Sequence, residues 1–396
     1  MRQRNGKGNR TGNRIAIGIS ILCIVLISAL LVIDRQQDNK LRQELTQTAQ
    51  QQDAEKQEFL KMVNAEYDAD KAVLNQYLPG IVCWGDSLTA GAGGNGVTYP
   101  KVLQSLIQEH ICDRYVLKSH LNSKYTYLMD SDDYAVEIPV INMGVGGENT
   151  ITIIGRNGTI PYIVSESLTI PADTTPVQIR FTSKDGEHVA PLRQGQAGVN
   201  NVTIGGIEGK LSISQESYTS KDYSYYFTRS AAGEAKTVPV GTEIITAASS
   251  QYLDYITVIF MGQNGGYTDF EDLIRQQRAI IEHQTANKDR YIIVGLHTGT
   301  AESRNALETA MKNEYGAHYI NLRDYMATQA MSDAGLIPTD EDKELMQNGS
   351  APKSLMSDSI HFNGIGYELI GRLIYKTMDD LGYFKEVNEA LLVNFK

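Results

Sequence analysis

Ile81-Val82-Cys83-Trp84-Gly85-Asp86-Ser87-Leu88-Thr89 is a short apolar run that stops on Gly-Asp-Ser, and a glycine-rich loop, Gly91 to Gly96, follows it. A run of this length bounded by turn residues reads as a buried strand, and this one delivers Ser87 to its carboxyl end. In open α/β sheets reactive groups gather outside the carboxyl ends of the strands, which makes Ser87 a candidate nucleophile. The competing reading is a strand, a turn and a serine that caps the next helix. Asp358-Ser359-Ile360-His361 decides between them. A spacing of three lets a carboxylate and an imidazole project to the same side of a helical turn or tight loop. The carboxylate then holds one ring nitrogen while the other faces the serine, fixing the tautomer and stabilising the imidazolium, in the chain order Ser, Asp, His.

Two further blocks lie between these. One is Asn142-Met143-Gly144-Val145-Gly146-Gly147-Glu148-Asn149-Thr150, and the other is Ile256-Thr257-Val258-Ile259-Phe260-Met261-Gly262-Gln263-Asn264. With Gly85-Asp86-Ser87-Leu88 before them and Asp358-Ser359-Ile360-His361 after, the ordered set resembles the SGNH, or GDSL-type, hydrolases. The resemblance implies Ser87 as nucleophile, His361 as general base and Asp358 as its orienting acid. It implies an oxyanion hole made by the backbone N–H groups of Ser87 and Gly147 and the side-chain amide of Asn264, with Gly146 the neighbouring choice by register. It also implies an acyl-Ser87 intermediate formed without a metal or cofactor. Many members carry Asp after the third-block Asn, where this chain has Gly265. Donors aimed at the developing oxyanion are worth about 3 to 4 kcal/mol each, and glycine at the second position lets backbone approach substrate closely. The Gly-x-Ser-x-Gly elbow of α/β-hydrolases is absent, because Thr89 stands at its second glycine.

At the amino end Arg2, Arg4, Lys7, Arg10 and Arg14 precede Ile15 to Ile33, a stretch without charge. Its length suits a helix crossing a hydrocarbon core of about 30 Å. Basic residues on the amino side favour a cytoplasmic tail, residues 1–14, and an external remainder. The stretch is long for a signal-peptide core and no Ala-x-Ala pattern follows, so 15–33 reads as an uncleaved anchor. Residues 34–78 are polar and lack glycine and, up to Pro79-Gly80, proline, as a helical stalk would. The heptad positions from Leu41 to Gln76 are only half apolar, so dimerisation through this stalk is a weak expectation.

Beyond it, strands alternate with helices, which implies a parallel sheet layered between helices. Strands are expected at Val136 to Ile141, Tyr255 to Met261, Tyr291 to Leu296 and His318 to Leu322. Helices are expected at Tyr99 to Ile111, from Thr150 to about Asn157, through Phe270 to Ile281, at Asn305 to Tyr315 and at Ile365 to Met378. From 159 to 250 the rhythm breaks into period-two runs such as Val177 to Phe181, Val202 to Ile204, Leu211 to Ile213 and Tyr223 to Phe227. The expected architecture is a three-layer α/β/α domain, 79–158 and 251–385, with an all-β insertion at 159–250. The insertion's Tyr218, Tyr223, Tyr225 and Tyr226 either meet carbohydrate or pack a small β core.

Without the first 33 residues, 31 basic side chains face 47 acidic ones, a net charge near −16. Such acidity argues against a nucleic-acid partner. No Cys/His spacing resembles a zinc site, and a Cys83–Cys112 disulfide is an open alternative. His297 follows a strand at the nucleophile's edge, the other histidines have no partner pattern, and Asp340-Glu341-Asp342 reads as a solvated turn or helix start. The loops next to the blocks are rich in Gly, Asn, Thr and Ser, which favours a shallow polar cleft and a small acyl group on a sugar over a long acyl chain. The expected function is an external, membrane-anchored esterase acting on short acyl, chiefly acetyl, esters of an envelope or other glycan. An O-acyltransferase shares the same intermediate and is ranked second, because the chain has one span rather than a membrane domain to supply a donor. A non-catalytic glycan-binding or scaffold protein is the third reading.

Overall fold

The computed structural model describes residues 10–115, 117, 124–129 and 131–390. Arg2, Arg4 and Lys7 of the expected cytoplasmic tail, and His120, lie outside the described residues. The chain divides into two compact units, Met1–Tyr67 with Ser119–Met129, and Asp68–Lys118 with Asp130–Lys396.

Helix α1, Arg10–Tyr77, runs on because nothing between Asp34 and Tyr77 breaks it, and Pro79-Gly80 follows its end. In the first unit its side chains from Ile19 to Ile33 are exposed. Among the described residues this is the one helix apolar and long enough to cross a membrane. Farther along, Glu55 accepts hydrogen bonds from Lys124 Nζ at 2.9 Å and Tyr125 Oη at 2.7 Å, and Phe59 packs on the Tyr125 ring. The charge pattern of residues 34–78 gave no sign of this clasp.

The second unit is built on a parallel sheet. In chain order come β1 (Ile81–Gly85), α2 (Ser87–Ala90), α3 (Tyr99–His110), β2 (Val140–Gly144) and α4 (Thr150–Asn157). Nine short strands follow: β3 (Tyr162–Val164), β4 (Leu168–Ile170), β5 (Val177–Ile179), β6 (Phe181–Thr182), β7 (Val202–Ile204), β8 (Ile207–Gln215), β9 (Tyr223–Arg229), β10 (Lys236–Val238) and β11 (Glu243–Ile245). The chain then returns through β12 (Ile256–Phe260), α5 (Phe270–His283), β13 (Tyr291–Val294), α6 (Ala301–Tyr315), β14 (Tyr319–Ile320), α7 (Leu322–Thr328), α8 (Ala330–Asp333), α9 (Asp340–Gln347), α10 (Gly364–Asp380) and α11 (Lys385–Ala390).

The parallel sheet has the order β14-β13-β12-β1-β2. β1 and β12 are buried along their whole length, which is why they read as continuous apolar runs. Val82, Trp84, Ile259 and Ile293 share one core with Ile153 of α4, Leu273 and Ile280 of α5 and Met311 of α6. Helices α3 and α10 pack on each other, with Tyr99 of α3 beside Phe260 at 6.2 Å between ring centroids. Gly371 of α10 lies so close to Val102 that a methyl there would stand 2.6 Å from its Cβ. In register Gly85 pairs with both Gly144 and Phe260, so three of the four sequence blocks leave the sheet side by side.

Several boundaries move for local reasons. β2 starts at Val140 rather than Val136, because Pro139 has no N–H to give a ladder. β14 is two residues long because Asn321 caps α7. β13 stops at Val294, and α6 begins at Ala301 because Thr300 and Ser303 form a capping box. All strands from β3 to β11 pair antiparallel, in a seven-stranded and a two-stranded sheet. Residues such as Tyr162, Val202, Ile204, Phe227 and Ile244 give them a core of their own. Tyr225 is buried there and Tyr223 is half-buried beneath Arg193, so these two rings pack, while Tyr218 stays exposed. Cys83 and Cys112 are free and buried.

Candidate active site

The apolar run of β1 ends on Gly85, and the next residue caps a helix. Asp86 Oδ1 accepts the Leu88 N–H at 2.9 Å, so Asp86, not Ser87, is the N-cap of α2, and Ser87 occupies its first turn. Gly91, at φ +87°, closes that short helix by donating to the Ser87 carbonyl. Across from it the 358–361 turn is wound on one carboxylate. Asp358 Oδ1 accepts the N–H groups of Ile360 and His361, each at 2.7 Å, and Oδ2 lies 2.8 Å from His361 Nδ1. His361 Nε2 lies 2.8 Å from Ser87 Oγ, although 274 residues separate them in sequence. Burial pushes the Asp358 carboxyl upward, but the two backbone N–H groups and the His361 ring outweigh it and hold it at about 2. An ionised Asp358 takes the Nδ1–H of His361, leaving Nε2 as acceptor for the Ser87 hydroxyl proton.

The second block lies against α2, the short helix that carries Ser87. Asn142 Nδ2 donates to the Thr89 carbonyl at 2.9 Å, and Val145 N–H donates to the Gly85 carbonyl. A methyl on Gly144 would stand 2.2 Å from the Ala90 nitrogen, backbone that cannot yield. Gly147 has φ +72°, a conformation that favours glycine. Asn264 Nδ2 donates one N–H to the Glu148 carbonyl at 3.0 Å, which leaves a second on the same amide. Thr150 N–H donates to Gly265 O and its hydroxyl to Gly266 O, so the second and third blocks are hydrogen-bonded to each other. Gly265 itself has φ +71°, a backbone conformation that glycine adopts freely.

Four side chains take places around the site that the sequence did not assign to them. Arg156 is fully buried and donates through Nε and Nη2 to Glu148 Oε2 at 3.0 and 2.7 Å, through Nη2 to Met143 O and through Nη1 to Ala197 O. Its guanidinium also lies 5.3 Å from the Trp84 ring centroid. Burial raises the Glu148 carboxyl pKa, and Arg156 offsets part of that. An Arg on a predicted helix reads as solvated, so no sequence signal marks this one. His297, buried beside Phe362, donates from Nε2 to the Ile360 carbonyl at 2.7 Å and so props the 358–361 turn. Burial pushes its pKa down to about 4, and its Nδ1 has no partner among the described residues. Asp342 corrects the solvated reading of its acidic run: it is buried and accepts from Thr339 and Ser354. The fourth is Asp86.

Asp86 is also fully buried, and its Oδ2 has no partner among the described residues. Burial raises its pKa to about 7, with the Leu88 N–H and His361 opposing. An acid raised in this way contributes stability that is whole below its unfolded pKa and is lost as pH rises through about 7. The depressed His297 contributes stability present above its unfolded pKa and lost as pH falls through about 4, so the two slopes oppose each other in between. Asp86→Asn removes the first alone. The variant should therefore gain on the wild type by up to about 1.4 kcal/mol per pH unit as pH rises from 4 to 7. Denaturant unfolding across that range measures it, and a constant difference between the two proteins rejects the shift.

A cavity of about 380 Å³ adjoins Asp358, with His297, Thr300, Leu345, Lys353 and Met356 in its wall. A second, of about 610 Å³, opens where Gly266, Tyr267, Thr268, Asp272 and Arg275 face Ser183, Asp185 and Glu187 of the β-rich segment. Among the described residues no group of three or more His, Cys, Asp or Glu could hold a metal ion.

No family model and no curated protein matches this chain. Among solved structures, a peptidoglycan O-acetylesterase is similar over 82% of this chain and 96% of that chain, at 13% identity and a TM-score of 0.27. So distant a likeness carries no argument about fold or activity.

Proposed function

We propose that the protein is a serine esterase of the SGNH type that removes short acyl groups, chiefly acetyl, from a cell-envelope or other glycan. Ser87 attacks the ester carbonyl, His361 takes its proton and returns it to the departing sugar oxygen, and water then releases the acyl group from Ser87. Asp358 orients His361. The N–H groups of Ser87 and Gly147 and the second amide N–H of Asn264 receive the oxyanion. The observation that carries the reading is the unbroken hydrogen-bonded chain Asp358–His361–Ser87 at 2.8 Å per link. An Asp and a His three residues apart have no structural need to meet a serine from the other end of the fold.

In this reading residues 15–33 anchor the chain, the tail before them is cytoplasmic, and everything from residue 34 lies outside. Residues 34–78 form the stalk, and 159–250 form a β-rich subdomain inserted into the catalytic domain, 79–158 and 251–385.

One experiment tests place and chemistry together. Intact cells displaying the full chain are treated with protease, and the medium is assayed on O-acetylated glycan and on unacetylated acceptor plus an acetyl donor. Cleavage in the stalk should release a single fragment reaching to the carboxyl-terminal helices, and that fragment should free acetate. Full protection of the chain sinks the orientation. Acceptor acetylation in excess of donor hydrolysis favours the transferase, and activity confined to long-chain esters rejects the glycan substrate.

A further inference from the structure

We propose that Gln194, carried by the β-rich segment, reads the sugar beside the scissile ester, so that this segment completes the active site; the proposal rests on the esterase reading. A methyl added at Gly146 would stand 2.7 Å from Gln194 Oε1, and one at Gly147 would stand 2.9 Å from its Nε2. The amide therefore lies against the Cα atoms of Gly146 and Gly147, the second being the glycine whose N–H faces the oxyanion in the proposed mechanism. Gln194 is exposed, and its amide makes no hydrogen bond to any described residue.

The loop beneath it is held on both sides. Before Gln194, Tyr225 Oη donates to the Pro191 carbonyl at 2.6 Å. Arg193 donates to Gln215 Oε1 and to the carbonyls of Tyr218 and Ser220, with its guanidinium 4.1 Å from the Tyr223 ring centroid. After it, Arg156 reaches across to the Ala197 carbonyl at 3.0 Å. Leu192 at φ +66° and Ala197 at φ +26° bracket the segment in backbone conformations that side-chain-bearing residues rarely adopt. The fold thus accepts strain to hold one unbonded amide over the oxyanion loop.

The chemistry of the ester says which side of it that amide serves. The acyl side of an acetyl ester is a methyl group, and covering it would leave both polar ends of the amide unpaired. The alcohol side of a glycan ester carries neighbouring hydroxyls, each of which both donates and accepts. A carboxamide, with an acceptor and donors side by side, matches two of them at once. This assigns to the β-rich segment a direct contact with the leaving sugar, rather than a remote grip on a polymer.

The test compares kcat/KM of the full-length chain on 4-nitrophenyl acetate, whose leaving group has no hydroxyl, with that on a mono-O-acetylated N-acetylhexosamine. Gln194→Ala should cost the sugar ester at least tenfold more than the aryl ester, chiefly through KM. Gln194→Glu, which keeps the length and the acceptor but loses the donors, should fall between. Gln196→Ala, exposed in the same loop, should leave the ratio of the two substrates where it is. A ratio unchanged within twofold by Gln194→Ala overturns the proposal, as does a wild type that hydrolyses the aryl ester and ignores the sugar ester. Loss of both activities in the wild type would instead bring down the esterase reading, and this inference with it.

Discussion

Ser87→Ala is expected to lower kcat/KM on a small acetyl ester by at least about 10³-fold, because without the hydroxyl no acyl intermediate can form. His361→Ala should cost a similar factor, and the double variant little more, since the two groups act as one unit. Asp358→Asn should leave the turn standing, because the Ile360 and His361 N–H groups still find Oδ1. It would nevertheless destabilise the tautomer that presents Nε2 to Ser87, so a large loss of kcat with little change in KM is the expected pattern. Steady-state kinetics on 4-nitrophenyl acetate decides all four. A Ser87→Ala protein within tenfold of the wild type would mean that the Asp358–His361–Ser87 chain is scaffold and that any hydrolysis arises elsewhere.

The second large effect is on stability. Arg156→Met removes the cation that faces Glu148, the residue after Gly147, where both side chains are buried. Breaking one partner of a buried pair costs about 3 to 5 kcal/mol, because the remaining charge stays out of water. Pairing the change with Glu148→Gln should recover a large part of that loss. With Arg156 gone, the Glu148 pKa rises further, and protonation relieves the penalty at low pH. The single variant should therefore be less destabilised at pH 5 than at pH 8. Denaturant titration of the wild type, both singles and the double at the two pH values closes the cycle. A single-variant cost below about 1 kcal/mol at pH 8 would show that the pair is not what holds the loop. Because Arg156 also bonds the Met143 and Ala197 carbonyls, it connects the second block to the loop that carries Gln194.

Much of this molecule is legible along the chain because it is local. The strand before Ser87 announces itself by four consecutive apolar residues ended by Gly-Asp-Ser, and α4 by its periodicity between Asn149, which caps it, and Gly158 at φ +88°. The Asp358 turn is also local, since its carboxylate bonds only residues two and three positions ahead. The apolar stretch to Ile33 and the unbroken helix after it follow from composition alone. Errors of boundary arose where a cap or a proline overrode periodicity, as at Pro139 and Thr300.

Contacts between distant residues had to wait for the tertiary structure. An isolated Arg in an amphipathic pattern looks solvated, and only the packing of α4 beneath Trp84 and Glu148 makes Arg156 a buried tie. Asp86 reads as part of a motif, but its raised pKa comes from burial by the sheet and the helices around it. Gln194 carries no signal at all, because its position over Gly146 and Gly147 depends on how a β-rich segment folds back onto a loop some fifty positions earlier in the chain. Hydrophobic period and turn chemistry act over a few residues and so survive in a linear reading. The match of one amide to one glycine depends on packing, which no short window of sequence contains.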